Sequence, residues 1–99
     1  MQALPIDAVP NQIFRATLGG QYCTINLRTL AAGLFMDVLV NGSPIIQARR
    51  CLNQARIVRE AYLGFIGDFI FMDTQGSSDP VYSGLGTRYV LVYLEASDL

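Results

Sequence analysis

Apolar and polar residues alternate with a period of two along much of this chain, which is the pattern of strands that bury one face. Residues 12–18 and 21–29 alternate in this way on either side of Gly19-Gly20. Both glycines adopt positive φ easily, as the central residues of a tight hairpin turn must. The pattern therefore predicts a first β-hairpin.

A second hairpin is predicted around Asn41-Gly42. Residues 34–40 alternate again before this dipeptide, which is typical of type I′ turns. Pro44 has no amide hydrogen, so the returning strand, residues 43–48, is expected at a sheet edge or to start where that amide is not needed.

Two further strands are predicted near the C-terminus, over residues 67–73 and 87–95. The last strand is apolar or aromatic on both faces, and residues 34–40 share this property. Such strands need cover on both sides. We expect a closed or partly closed barrel to cover one face of each and a neighbouring subunit to cover the other.

The remaining segments are less regular. Pro5 and Pro10 predict an extended arm or edge segment over residues 1–11, which docks either on its own barrel or on a neighbour. Residues 74–86 have loop composition, and residues 49–60 are interpreted as a loop with at most one helical turn, although a helical stripe of Ala48, Leu52, Ala55 and Tyr62 crosses that region.

These elements define an all-β fold class: a small single-domain antiparallel barrel or sandwich with hairpins and an extended N-terminal arm. A chain of 99 residues can form one hydrophobic core but not two. We therefore expect residues 12–99 to form a single β-barrel-like domain.

The charge content favours an assembly protein. Charged residues make up 15% of the chain, against roughly a quarter in ordinary soluble domains. All seven cations are arginines, and arginine suits interfaces because it is weakly hydrated and binds through a planar fork. Genomic base composition could produce the same bias without selection for binding.

The residue types argue against catalysis and against a cofactor or metal site. The chain has no histidine, so its serines and cysteines lack the usual activating base. Its two cysteines, Cys23 and Cys51, are too few for a zinc site and are expected to be reduced core residues. Its acids are isolated, unlike those of a calcium loop, and are interpreted as solvated or paired with arginine.

Arg49, Arg50, Arg56 and Arg59 form one basic cluster close to Tyr62. The cluster fits an arginine-rich protein interface better than nucleic acid, because the net charge of the chain is -1. Asp68 interrupts the best apolar run, between residues 61 and 72, so no membrane partner is expected.

The proposed protein interface collects the large aliphatic residues of the arm, the basic cluster and two tyrosines of the last strand: Leu4, Ile6, Val9, Arg49, Arg50, Arg56, Arg59, Tyr89 and Tyr93. The alternative is a small β-barrel that binds single-stranded nucleic acid or oligosaccharide, with Tyr62, Tyr82, Tyr89 and Tyr93 as stacking platforms.

The order of segments resembles the phage baseplate plug family. The most specific pieces are Leu4-Pro5 with Pro10-Asn11-Gln12, the block from Asn41-Gly42 to Arg50-Cys51, and the strand from Gly67 to Asp73. Together with the other segments, the resemblance covers roughly residues 4–94.

This resemblance implies an all-β structural protein of a contractile phage tail baseplate, without catalysis. Its expected partners are other baseplate proteins and the tail tube or spike proteins, with several copies packed around the tail axis at the hub. The expected location is the virion, after assembly in the host cytoplasm.

Overall fold

The computed structural model describes residues 2–58 and 65–98, through which seven strands run. They pair antiparallel in two sheets, one of three strands in the order β1-β7-β6 and one of four in the order β2-β3-β4-β5. The predicted all-β class is confirmed. The strands are β1 (Gln2–Leu4), β2 (Asn11–Leu18), β3 (Gln21–Leu30), β4 (Gly33–Val40), β5 (Ser43–Arg50), β6 (Asp68–Asp73) and β7 (Tyr89–Leu94). Short 3-10 helices cover Tyr82–Gly84 and Ala96–Asp98.

The four-stranded sheet consists of the two predicted hairpins. Gly19 and Gly20 have φ of 59° and 77°, and Asn41 and Gly42 have φ of 51° and 82°. Positive φ at both central residues is the geometry of a type I′ turn, whose twist matches that of the flanking strands. The strand after the second turn continues two residues beyond its predicted end.

A β-bulge bends the second hairpin. Met36 pairs with Arg49 but Val38 pairs with Ile46, so one extra residue lies in β5 between these pairs. Ala48 takes a positive φ of 52° there. Its amide donates to Asp37 Oδ1 at 2.7 Å, and the carboxylate of Asp37 therefore holds the bulge in place.

The two sheets enclose one hydrophobic core. Cys23, Ile25 and Leu27 of β3 are buried, as are Leu34, Met36 and Val38 of β4, and Phe69 and Phe71 of β6 belong to the same buried cluster. Phe65, Phe69 and Tyr93 pack as an aromatic cluster, with ring centroids 5.4 to 6.1 Å apart. Because residues of both sheets belong to one cluster, neither sheet has a core of its own.

Residues 51–58 form no helix and cover the outer edge of β6. The amide of Gln54 donates to the carbonyl of Phe71 at 2.8 Å, and the amide of Ile57 donates to that of Phe69 at 3.0 Å. Ile57 and Val58 are buried, whereas Leu52 of the helical stripe is 37% exposed. The rest of the stripe, at Tyr62, lies outside the described residues.

The N-terminal segment docks on its own sheet. β1 is the edge strand beside β7, with Leu4 opposite Leu91, and Leu4 is buried in the core. Beyond β1, Asp7 and Gln12 exchange two hydrogen bonds, because the Gln12 side-chain amide donates to the Asp7 carbonyl and accepts from the Asp7 amide. The side chain of Gln12 thus makes the two hydrogen bonds to Asp7 that the backbone of a paired strand would otherwise make.

A second such contact joins the two sheets. The side-chain amide of Gln21, at the start of β3, bonds both the amide and the carbonyl of Ile66, each at 3.1 Å. Tyr93 of β7 donates its hydroxyl to the same carbonyl. Burial raises the pKa of Tyr93, which keeps the hydroxyl protonated as a donor. Ile66 therefore connects β3 to β7.

This junction leaves no room for a side chain at position 67. Gly67 has a φ of +98°, and a Cβ there would meet the Leu94 carbonyl and Tyr93 Cε1. Gly67→Ala should lower the free energy of unfolding by at least about 2 kcal/mol, from strain and steric conflict together. Urea unfolding measures the loss.

Gly42→Ala is the matched control, because Gly42 also has a positive φ, +82°, but no heavy atom near its missing Cβ. Its cost should be about 1 kcal/mol, from the backbone conformation alone. Equal losses in the two variants would contradict the close packing described at Gly67.

The cysteines are free and buried, as expected. Burial raises the pKa of Cys51 to about 12 and also raises that of Cys23, so both thiols stay protonated. We expect both to react with a disulfide reagent far more slowly in the native chain than in denaturant. Ile13→Cys supplies an exposed positive control, since Ile13 is 59% exposed. Rapid native labelling at either cysteine would contradict this burial.

Candidate interaction surface

The three-stranded sheet is apolar on the side that faces away from the core. Cross-strand pairing places Val92 of β7 between Ala3 of β1 and Ile70 of β6, and places Val90 beside Met72. We call these five residues the outer apolar face. The prediction that β7 is apolar on both sides is confirmed, because Leu91 and Tyr93 of the same strand belong to the core.

Exposure differs across the outer apolar face. Val92 in the central strand is only 5% exposed, whereas Met72 in β6 is 40% exposed. Arg56, which is exposed, bridges to Ile70 and lies at the rim beyond β6. The exposed apolar area is thus bordered by a cation on that side.

A shallow depression adjoins this face where the chain leaves β1. It has a volume of about 550 Å³ and is lined by Ala3, Leu4, Pro5, Ile6, Asp7, Gly86 and Val90. Gly86, with a φ of +83°, lies against the Ile6 carbonyl, where a Cβ would collide. Asp7 is the one charged residue in this lining. The depression suits an apolar side chain better than a charged ligand.

The loop that carries Gly86 is held by Asp73, at the end of β6. The carboxylate accepts Arg88 Nε at 2.8 Å and Arg88 Nη2 at 2.9 Å, and it also accepts the amides of Gln75 and Ser78, each at 2.9 Å. The hydrogen bonds from Arg88, followed by those of the two amides, hold the pKa of Asp73 well below its usual range. Asp73 therefore fixes both ends of the loop, as an arginine-paired acid.

Asp68, the other acid of β6, is buried rather than solvated. Its Oδ1 accepts the amides of Val58 and Phe69, both at 2.7 Å. These bonds tie residues 51–58 to β6. Asp79 is exposed and accepts the amide of Asn53 at 3.0 Å, whereas Glu60 lies outside the described residues.

Three of the residues predicted for the interface belong to the core of this chain. Leu4, Tyr89 and Tyr93 are 5%, 3% and 1% exposed. The Tyr89 hydroxyl shares a hydrogen bond of 2.6 Å with Ser78, and the Arg88 guanidinium lies over its ring. The interface proposed below therefore does not include these three side chains.

The other residues predicted for the interface, which are aliphatic or basic, range from half-buried to exposed. Ile6 is half-buried against the core and Val9 is exposed. Arg49 is partly buried and donates to the Ile57 carbonyl at 2.8 Å, which attaches β5 to residues 51–58. Arg50 and Arg56 are exposed, and Arg59 lies outside the described residues.

The stacking platforms of the alternative function are mostly absent from the surface. Tyr89 and Tyr93 are buried, so neither ring offers a face to a base or a sugar. Tyr82 is half-buried against the core, and Tyr62 lies outside the described residues.

The outer apolar face contains none of the residues predicted for the interface. The signal for it was present in β7, whose Val90 and Val92 are as apolar as their inward neighbours. The alternation of Ile70 and Met72 with Phe69 and Phe71 carries the same signal in β6. What the sequence could not supply is the order β1-β7-β6, which places these side chains together.

Fold and surface together define a class: a small all-β domain of two sheets with an apolar sheet face on its surface. The family model described as cyanophage baseplate Pam3 plug gp18 matches residues 1–96, and the chain belongs to this family. It is therefore a structural protein of the phage tail baseplate, where it contacts other baseplate proteins. No curated protein matches the chain. Among the described residues, no helix is long and apolar enough to span a membrane.

The low pKa of Asp73 predicts how stability depends on pH. In the unfolded chain the Asp73 carboxyl takes up its proton near pH 3.9, whereas in the folded chain it does so only at lower pH. The stabilisation that the Asp73 hydrogen bonds provide is therefore complete above about pH 5 and declines as the pH falls below that. The difference in unfolding free energy between the native chain and Asp73→Asn should shrink from pH 6 to pH 3, as measured by urea titrations. Asp79→Asn controls for loss of a negative charge. A constant difference across this range would contradict the pairing.

Proposed function

We propose that this chain is a non-catalytic joint at the hub of a contractile-tail baseplate, where the tail tube meets the spike. Several copies pack around the tail axis and contact tube, spike or other hub proteins. In this role the protein withstands or transmits the force of contraction through sheet surfaces, and no bond is made or broken.

The observation that carries this proposal is the outer apolar face, considered together with membership of the baseplate plug family. A sheet side on which Met72 is 40% exposed and Ile70 and Val90 are partly exposed is costly to leave in water, and burial against a partner removes that cost. The depression beside it offers a recess for one large apolar side chain of that partner.

Among the exposed members of the predicted set, Arg56 is proposed as a rim contact of the outer apolar face, and Arg50 and Val9 are proposed as contacts elsewhere. Arg56 borders the outer apolar face, and Arg50 and Val9 lie on other parts of the surface. A guanidinium at the rim binds a carboxylate of a partner through two parallel hydrogen bonds and fixes its orientation.

Met72→Glu tests this role, because it adds a charge to the outer apolar face at a side chain that is already 40% exposed. Burying that charge should weaken the contact by at least about 1.4 kcal/mol, or tenfold. We expect at least about tenfold fewer complete baseplates when a phage lacking the gene is complemented with the variant, counted by electron microscopy.

Leu30→Glu is the matched control: Leu30 is 48% exposed but lies at the end of β3 in the other sheet. It should assemble as the native protein does, and circular dichroism should show both variants folded. Normal assembly with Met72→Glu would remove the outer apolar face from the interface. Complete baseplates in the absence of the gene would overturn the structural role itself.

A further inference from the structure

Four strand edges border the two sheets, and they differ sharply in how well they are blocked. The edge of β6 is covered by residues 51–58, and β1 is only three residues long. β5 carries Pro44, the bulge at Ala48 and two arginines, all of which oppose further pairing. The fourth edge, that of β2, has no proline, no bulge and no covering segment among the described residues, and it carries a single charged residue, Arg15.

β2 is long, regular and open. Its eight residues pair with β3 without interruption from Leu18 opposite Gln21 to Asn11 opposite Arg28. No strand among residues 2–58 and 65–98 pairs with its other side. An edge of this kind presents unpaired amides and carbonyls and is a template for one more strand.

The turn geometry shows which backbone groups are unpaired. In a two-residue type I′ hairpin the residues that flank the turn, Leu18 and Gln21, form a hydrogen-bonded pair. Every second residue of β2 therefore bonds β3, and the alternate residues point their amides and carbonyls outward. The outward set comprises Asn11, Ile13, Arg15 and Thr17.

The side chains along this edge also lack cover. Ile13 is 59% exposed, more than any other large hydrophobic side chain of the described residues. Phe14 and Ala16 face the core but are only partly buried. Arg15 lies opposite Thr24 of β3, and Thr24 lies opposite Leu39 of β4, so its cross-strand neighbours include no acid. Among the described residues, none forms an ion pair with Arg15.

We propose that β2 accepts an added β-strand from another baseplate protein. The added strand bonds the outward amides and carbonyls of β2, places apolar side chains beside Phe14 and Ala16, and places an acidic side chain opposite Arg15. This deepens the proposed function and rests on it, since the partner is a component of the same assembly.

The side chains proposed for the added strand follow from the side chains that β2 leaves uncovered. A strand added beside β2 continues the core face, where it covers the exposed parts of Phe14 and Ala16. On the other face it meets Ile13 and an unpaired guanidinium, and an opposite charge in a cross-strand pair stabilises the sheet. A partner strand with a lysine or arginine at that position is disfavoured.

The sharpest test is Arg15→Pro compared with Arg15→Thr. The Arg15 amide points away from β3, so proline removes an outward donor without taking a bond from the native sheet, whereas threonine removes the same charge and keeps the donor. Both variants should unfold at similar urea concentrations. In complementation, Arg15→Pro should yield at least about tenfold fewer complete baseplates than Arg15→Thr.

Hydrogen exchange of the native protein gives a second measurement that does not depend on the variants. The amides of Ile13, Arg15 and Thr17 should exchange rapidly in the purified chain and be protected in assembled tails. Equal exchange in the two samples, or equal assembly by the two Arg15 variants, would overturn the proposal.

Light scattering distinguishes a strand from a different protein from the other possible occupant of the β2 edge, a second copy of this chain. A purified native chain that is dimeric, and becomes monomeric with Arg15→Pro, would show that a second copy fills the edge and would overturn the assignment to a different protein. Failure here leaves the proposed function standing if Met72→Glu still blocks assembly, so the two ideas fail separately.

Discussion

Strand β7 must be covered on both faces, and the rest of the structure is arranged around that requirement. Its inward residues, Leu91 and Tyr93, pack against the core shared with the four-stranded sheet. Its outward residues are apolar as well, and the central position of β7 between β1 and β6 surrounds them with further apolar side chains on the same side of the sheet. The N-terminal segment is thereby part of the fold, because without β1 the strand would have a bare edge.

Outside the strands, side chains take over the hydrogen bonding that a regular ladder would provide. Gln12 and Gln21 each bond both the amide and the carbonyl of one residue outside their own strand, and Asp68 and Asp73 each accept two backbone amides. The sequence separations of these contacts range from one residue, between Asp68 and Phe69, to 45 residues, between Gln21 and Ile66. The bonds accepted by Asp68 and Asp73 satisfy buried or half-buried backbone groups that would otherwise cost free energy.

Local signals were sufficient for the hairpins. Glycine or Asn-Gly between alternating stretches specifies both the turn type and the register, and the structure has both hairpins where those signals lie. Long-range arrangement was not predictable in the same way. The sequence predicts Tyr89 and Tyr93 in the interface, because a tyrosine on a strand with two apolar faces carries no mark of which face meets the core. The packing of the two sheets against each other decides that, and it depends on pairings such as that of β1 with β7, which joins residues about 90 positions apart.

The irregular segment after β5 has no periodic pattern of burial for a related reason. Its buried residues, Ile57 and Val58, follow neither a helical nor a strand period, because the chain there follows the edge of β6 through isolated hydrogen bonds. The candidate interface was the feature least predictable from local sequence patterns. Its centre depends on neighbours in a sheet order that no local pattern encodes, whereas only exposed rim residues such as Arg56 were foreseen.

The asymmetry of the sheet edges has a consequence for how assemblies of this protein can grow. A sheet that is open at both ends can add strands indefinitely, which is the route to fibres. Here the far side of the four-stranded sheet is closed by Pro44 and the bulge at Ala48. Any strand that joins at β2 is therefore matched by no site on the opposite side, and growth stops after a single step. The fold therefore limits strand addition to one step, which suits a particle of defined size.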